Sequence, residues 1–140
     1  MIEKLKSKDL EEAAEVYIKG LSMEKPEGYA TLKETVNKLR KINCLVHKSK
    51  NEIDGLVTFK EDKNSITIDF ICSLRLRKGI GKKLMKELIS YSKRNKINII
   101  CSTVSSKDKR VIKFYDSLGF KKYGKYHKNK LLLYKIKLNL

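Results

Sequence analysis

The chain has little of what several large classes of protein require. No run approaches the ~18 consecutive apolar residues of a membrane-crossing helix. The opening MIEKLKSKDLEEA has no apolar core of the kind a secretory leader carries. A cytoplasmic protein without membrane contact is therefore expected. Histidine is scarce, at two residues, and no Ser-His-Asp or Cys-His constellation assembles from them; His47 reads as a strand residue. The three cysteines, Cys44, Cys72 and Cys101, are odd in number, and each lies in an apolar, strand-like run. That spacing suits neither a disulfide framework nor a zinc site, and points to buried thiols in a reducing compartment. Internal repeats, linkers and low-complexity tracts are absent, so residues 1–140 are expected to form one domain.

Acid is scarce too. Against 33 Lys+Arg stand 16 Asp+Glu, a net charge of +17. A field of that size attracts nucleic acid, anionic lipid or a phosphorylated ligand. The excess is mostly Lys, dispersed along the chain, with no nucleic-acid reading motif beside it. Specific nucleic-acid binding is not expected, and the charge reads as compositional.

What the chain does have is concentrated between Ser65 and Tyr91, SITIDFICSLRLRKGIGKKLMKELISY. Ile66, Ile68 and Phe70 alternate with Thr67, Asp69 and Ile71, the period of a strand. From Gly79 the period changes: Ile80, Leu84, Leu88 and Tyr91 fall on one face of a helix, with Lys82, Lys83, Lys86, Lys93 and Arg94 mostly on the other. Between strand and helix lies a basic turn that carries Gly79 and Gly81. The first turn of a helix has four N–H groups without an internal partner and a partial positive charge. Glycines let a phosphate approach that backbone, and Arg77, Lys78, Lys82 and Lys83 add full charges. The stretch reads as a pyrophosphate cradle. It is not a P-loop, since no G-x-x-x-x-G-K-S/T run exists, and the third Gly of a dinucleotide fingerprint is replaced by Leu84.

Around this stretch the elements follow in a recognisable order. A short strand at Ile2–Leu5 precedes a helix capped by Asp9, with Leu10, Ala13, Ala14, Tyr17, Ile18 and Leu21 on its apolar face and Gly20 at its end. Pro26 and Gly28 punctuate the loop Ser22–Ala30, where Glu24, Glu27 and Tyr29 are candidate substrate contacts or plain solvated residues. A second helix opens with a capping box from Thr31 to Glu34 and presents Leu32, Thr35, Val36 and Leu39. Strands at Cys44–His47 and Gly55–Phe59 flank a polar turn, Lys48–Asp54, and a second turn at Glu61–Asn64 leads into the strand from Ser65. After the central helix, Ile97–Val104 suits a strand buried on both faces, joined to its predecessor by a parallel crossover. Ser105 and Asp108 stand in capping positions for a further helix bearing Val111, Phe114, Tyr115 and Leu118, and Gly119 stops it. A hairpin of Lys121–Tyr126 and Leu131–Leu138 closes the chain around His127–Lys130.

The order β-α-α-β-β-β-α-β-α-β-β, the G-x-G-x-x-L turn after a strand, and DKRVIKFYDSLGF from Asp108 to Phe120 together resemble the GNAT acetyltransferase superfamily. In its second motif, N-x-x-A-x-x-F/L-Y-x-x-x-G-F, Phe114, Tyr115, Gly119 and Phe120 match, while Asp108 and Val111 replace Asn and Ala. In the first, R/Q-x-x-G-x-G/A, Leu76 holds the Arg/Gln place between Arg75 and Arg77; Ser73 replaces a frequent Pro and Arg77 a frequent Gly. The resemblance implies a mostly antiparallel sheet of six to seven strands with a parallel β4–β5 pair and four flanking helices. It also implies acetyl-CoA as co-substrate and an N-acetyltransferase acting on a small-molecule or protein amine.

Site residues follow position by position from the same resemblance. Backbone groups of Ile71, Cys72 and Ser73 would bond the pantetheine arm, and amides of Arg77, Lys78, Gly79, Ile80, Gly81 and Lys82 the pyrophosphate. Asp108 would stand near the arm or simply cap its helix. Tyr115 occupies the general-acid position, with a packed core aromatic as the other reading. Asp69 is the carboxylate on the fourth or fifth strand, either base or surface residue. Thr103 stands where peptide N-terminal acetyltransferases often carry Glu. That change and the short Tyr126–Leu131 loop argue against ribosomal-protein N-terminal acetylation. A dimer is common in the family. A GNAT-fold protein that binds acyl-CoA or an anionic partner without turnover is the alternative.

Overall fold

The computed structural model describes residues 1–24, 30–75 and 78–140. Its elements are β1 (Ile2–Lys4), a 3-10 turn (Ser7–Asp9), α1 (Leu10–Glu24), α2 (Leu32–Lys41), β2 (Asn43–Ser49), β3 (Glu52–Glu61) and β4 (Ser65–Ser73). They continue with α3 (Ile80–Arg94), β5 (Ile99–Ser105), α4 (Lys109–Ser117), β6 (Lys121–Lys128) and β7 (Leu131–Asn139). The seven strands run in the order β1-β2-β3-β4-β5-β7-β6. β5 runs parallel to β4, with Ser65 to Thr67 opposite Ile99 to Cys101. The pairings β1–β2, β2–β3, β5–β7 and β6–β7 are antiparallel. This is the sheet and helix inventory the resemblance implies.

The chain forms two compact units. The first holds Met1–Lys60 and Asp69–Tyr91, the second Glu61–Ile68 and Ser92–Leu140.

In the first unit, Ala13, Ala14, Val16 and Tyr17 of α1 and Leu39 of α2 close on Cys44, Val46, Ile53, Leu56 and Phe70. α2 starts where its capping box predicts: Thr31 Oγ1 accepts from the Glu34 N–H at 3.1 Å. α3 buries Ile80, Leu84, Met85 and Leu88, each worth about 1.5–3 kcal/mol relative to exposure. Three expectations change here. Gly20 does not end α1, which continues to Glu24. A Cβ on Gly20 would lie 2.6 Å from Cys72 Sγ and 2.7 Å from Cys72 Cβ, so the missing side chain lets the helix lie close on β4. Asp9 ends the 3-10 turn, and its Oδ2 accepts from Lys48 Nζ at 2.9 Å. The polar turn expected over Lys48–Asp54 contracts to Lys50 and Asn51, both left-handed (φ 53° and 67°), as a two-residue hairpin requires.

In the second unit, Ile66, Ile68, Ile97, Ile100, Val104, Tyr115, Phe120 and Ile136 are buried. Asp108 caps α4, its Oδ1 accepting from the Val111 N–H at 3.3 Å, and Gly119 (φ 92°) ends the helix. β5 is not buried on both faces. Ile100, Ser102 and Val104 are buried, while Cys101 is half-buried and Thr103 exposed, because that face opens on a groove. The closing hairpin turns on Asn129 and Lys130 alone, again left-handed (φ 51° and 66°).

Candidate functional site

The stretch expected to form the cradle begins where β4 ends. Ser73 Oγ donates to the Arg75 carbonyl at 2.9 Å and accepts from the Arg75 N–H at 3.2 Å, bending the chain out of the strand. The Leu74 N–H donates to the Asp54 carbonyl at 2.8 Å, tying this exit to β3. The Asp54 side chain is buried, 2.6 Å from His47 Nδ1 and 2.7 Å from the Ser49 hydroxyl, with Arg75 Nε at 3.6 Å. Burial works against ionisation of Asp54. The Ser49 and His47 hydrogen bonds and the charges of His47 and Arg75 outweigh it, holding the carboxyl below its usual range.

Gly55 next to Asp54 sets how near α3 can come. A Cβ there would sit 2.7 Å from Ile80 Cγ2 and 3.0 Å from the Cys72 carbonyl oxygen. Gly79 then takes a left-handed φ of 68°, and the Lys83 N–H bonds its carbonyl at 3.0 Å to begin α3. The N–H groups of Ile80, Gly81 and Lys82 lie ahead of the first i−4 bond of the helix. A Cβ on Gly79 would meet nothing within 4 Å. Among the described residues the space before the helix is open, and Lys78, Lys82 and Lys83 are exposed around it. These are the donors and charges a pyrophosphate needs, so the residues present fit the nucleotide end of a coenzyme A.

Asp69 sits at the centre of a polar knot in the first unit. Its carboxylate accepts from Thr58 Oγ1 at 2.8 Å, from the Tyr17 hydroxyl at 3.1 Å and from Lys38 Nζ at 3.1 Å. Lys38 Nζ also donates to the Tyr17 oxygen at 2.8 Å. Burial pushes the Tyr17 phenol up, against the opposing hydrogen bond from Lys38. Burial pulls the Lys38 ammonium down, but the hydrogen bonds to Tyr17 and Asp69 more than compensate and it stands above its usual value. Both groups therefore keep their protons at neutral pH. Neither Tyr17, Lys38 nor Thr58 was marked by the sequence, because their convergence on Asp69 joins α1, α2 and β3.

In the second unit, Tyr115 is buried on α4, edge-on to Phe114 (5.3 Å between centroids) and Phe120 (4.9 Å). Ser102 Oγ on β5 donates to its hydroxyl at 3.4 Å. On the opposite face of β5, an open groove of about 510 Å³ is lined by Thr67, Cys101, Ser102, Thr103, Tyr123, Tyr126 and Lys135. A β-bulge helps to form it: the β6–β7 register shifts between Lys122 and Gly124, around Tyr123. Strict alternation would send Tyr123 and Tyr126 to opposite faces, and the bulge brings both into the groove. Burial and the adjacent Cys101 push the Tyr123 phenol up, so it remains an O–H donor.

The residues marked by the sequence thus fall into two sets. Ile71, Cys72, Ser73, Lys78, Gly79, Ile80, Gly81, Lys82 and Asp69 belong to the first unit, and Asp108, Tyr115 and Thr103 to the second. Arg77, with Leu76, lies outside the described residues, as do Pro26, Glu27, Gly28 and Tyr29 and the side chain of Glu24. The three cysteines are free, Cys44 pushed up to about 12 by burial. Among the described residues, no cluster of His, Cys, Asp and Glu is arranged to hold a metal ion, and no helix is long and apolar enough to cross a membrane. A second hollow of about 320 Å³, walled in part by Leu5, Leu39 and Phe59, contains none of the residues expected of the site.

The family described as Acetyltransferase (GNAT) domain matches residues 11–135. The chain belongs to this family, and it is an acetyltransferase by that membership. Solved structures with the same fold include the PaiA N-acetyltransferase from Thermoplasma acidophilum in complex with coenzyme A. It has a TM-score of 0.84 at 18% identity, covering 100% of this chain and 98% of that one. The ribosomal-protein-alanine N-acetyltransferase from Brucella melitensis gives 0.81 at 19% identity, covering 100% and 99%. A putative acetyltransferase from Salmonella typhimurium, solved with its cofactor acetyl-CoA, gives 0.80 at 17%, covering 99% and 92%. No curated protein matches the sequence.

Proposed function

We propose that the protein is a cytoplasmic, acetyl-CoA-dependent N-acetyltransferase that passes the acetyl group directly to a primary amine, and that residues 1–140 work as a single acetyltransferase domain. The observation that carries this is the start of α3: a left-handed Gly79 opening onto free space, with three helix N–H groups and exposed Lys78, Lys82 and Lys83 around it. Backbone of Ile71, Cys72 and Ser73 binds the pantetheine arm. In support, the β5 register accounts for Ser65–Thr67 of a strand that runs on to Ser73. Asp108 acts on the arm only through the helix it caps. The free thiols favour a reducing compartment.

In the reaction the amine loses its proton and its nitrogen attacks the thioester carbonyl. The C–N bond forms, the C–S bond breaks, and the departing thiolate takes the proton of the Tyr115 hydroxyl. The second proton, shed by the nitrogen as it becomes an amide, restores that hydroxyl. Backbone N–H groups near the end of β4 stabilise the oxyanion that forms on the way. Asp69, with its oxygens already held by Lys38, Tyr17 and Thr58, takes up the amine proton through water. The test is release of free CoA from acetyl-CoA across a broad panel of amines. Release above the uncatalysed rate with at least one amine is expected. Release at the uncatalysed rate with all of them, alongside tight acetyl-CoA binding, identifies a silent binder.

A further inference from the structure

We propose that the acceptor is a small amine bearing an anionic group, and that this group is held by Lys135 in the groove on the open face of β5, β7 and β6. The proposal deepens the acetyltransferase reading and rests on it. Lys135 is flanked in the sheet by Thr103 on β5 and Gly124 on β6, both its register partners. A small residue on each side leaves its stem uncovered, and its ammonium lies 5.5 Å from the Tyr126 ring centroid. The groove's volume of about 510 Å³ suits a molecule of metabolite size.

The charge around the groove decides which amines it accepts. Residues 117–140, which include both strands of the closing hairpin, contain seven Lys and no Asp or Glu. Among the described residues, none that lines the groove is acidic. A diamine or polyamine would bring its second ammonium against Lys135 with no carboxylate to receive it, and at these distances like charges repel. A carboxylate or phosphate would gain a charge-assisted hydrogen bond from Lys135, with Tyr123 and Tyr126 hydroxyls nearby as further donors. The rings of the same two tyrosines offer an apolar surface to the carbon chain between anion and amine.

The test compares amines of matched length with the full chain and acetyl-CoA. γ-Aminobutyrate should be acetylated with a kcat/KM at least about tenfold above that of putrescine, the scale of one charge-assisted contact. β-Alanine and phosphoethanolamine then distinguish a carboxylate from a phosphate as the group bound. Lys135→Glu should raise KM for the anionic amine roughly tenfold with kcat held, and Lys135→Arg should restore it. Preference for putrescine, or an unchanged KM in Lys135→Glu, overturns the proposal while leaving the acetyltransferase reading intact. If no amine is turned over, that reading fails, and N-acetyl-γ-aminobutyrate titrated against the tyrosine ring NMR signals judges the groove by itself. Shifts in the wild type that vanish in Lys135→Glu support an anion-binding groove, and no shifts in the wild type overturn it.

Discussion

Thr103 on β5 and Lys135 on β7 stand directly opposite each other in the antiparallel ladder that joins those strands. One carries a hydroxyl, and the residue across from it is a cation. A carboxylate at position 103 would be answered by Lys135 rather than held ready to take a proton. The β5 face thus presents a hydroxyl and a cation side by side, the arrangement from which an anion-binding groove is proposed.

Gly79→Ala probes the cradle. The residue's φ of 68° disfavours any side chain, and a Cβ there meets nothing within 4 Å. The variant should fold, with a loss of about 1 kcal/mol from the left-handed backbone. The new methyl group stands in the open space before α3, so calorimetry should show acetyl-CoA affinity falling by roughly tenfold or more. Unchanged affinity in a folded variant moves the pyrophosphate elsewhere.

Asp69→Asn separates base from anchor. If Asp69 accepts the amine proton, kcat/KM at neutral pH should fall by roughly 10²-fold. Activity should return as the pH approaches the acceptor's own pKa, where the amine sheds its proton unaided. A small loss that is flat with pH makes Asp69 the anchor of Lys38, Tyr17 and Thr58 and nothing more.

Acid stability should report on Asp54. Its carboxyl titrates below the ordinary 3.8 in the folded state, so its contribution is present above about pH 4 and is lost as the pH falls through the folded value. Glu3 and Asp9, both lowered by hydrogen bonds from Lys48, act in the same direction. Urea titrations of the wild type should show stability declining from about pH 4 downward. Asp54→Asn should be less stable at neutral pH by roughly 1–3 kcal/mol, with a shallower acid slope. An equal slope removes Asp54 from the acid response.

Tyr115→Phe tests the proton donor. The ring packs between Phe114 and Phe120, so the variant should fold, with a loss of about 1 kcal/mol from the Ser102 hydrogen bond it gives up. If that hydroxyl protonates the leaving thiolate, kcat should fall by roughly 10²-fold. The Kd for acetyl-CoA should hold, because the thiolate charge exists only as the bond breaks. Full activity in the variant returns Tyr115 to the core.

Much of the fold was legible because it is written locally. The alternation Ile66, Ile68, Phe70 is buried as its period requires, and so are Ile80, Leu84 and Leu88 on α3. Thr31 caps α2 and Asp108 caps α4 as their spacing predicts. The failures lie where distant residues decide. Gly20 looks like a helix end in one dimension; it is a contact point because Cys72 lies against it. Lys50–Asn51 and Asn129–Lys130 make tight turns without the glycine that would have advertised them. The insertion of β7 between β5 and β6, and the bulge at Tyr123, turn one face of β5 outward, and no local pattern announced the groove. The strand, the glycine and the helix start from which the cradle is proposed were legible because they are adjacent in the chain. The knot around Asp69 was not, since Tyr17, Lys38 and Thr58 are 52, 31 and 11 residues away.

The central claim is direct transfer from acetyl-CoA to an amine, and mass spectrometry tests it most directly. The protein is incubated with acetyl-CoA and an acceptor found by the amine panel, and the N-acetylated amine is counted against the CoA released. The intact mass of the protein is followed in parallel. One acetylated amine for each CoA, with no acetyl group on the protein when the acceptor is withheld, is the predicted result. An acetylated protein that passes its acetyl group on when the amine is added, or CoA released without acetylated amine, contradicts it.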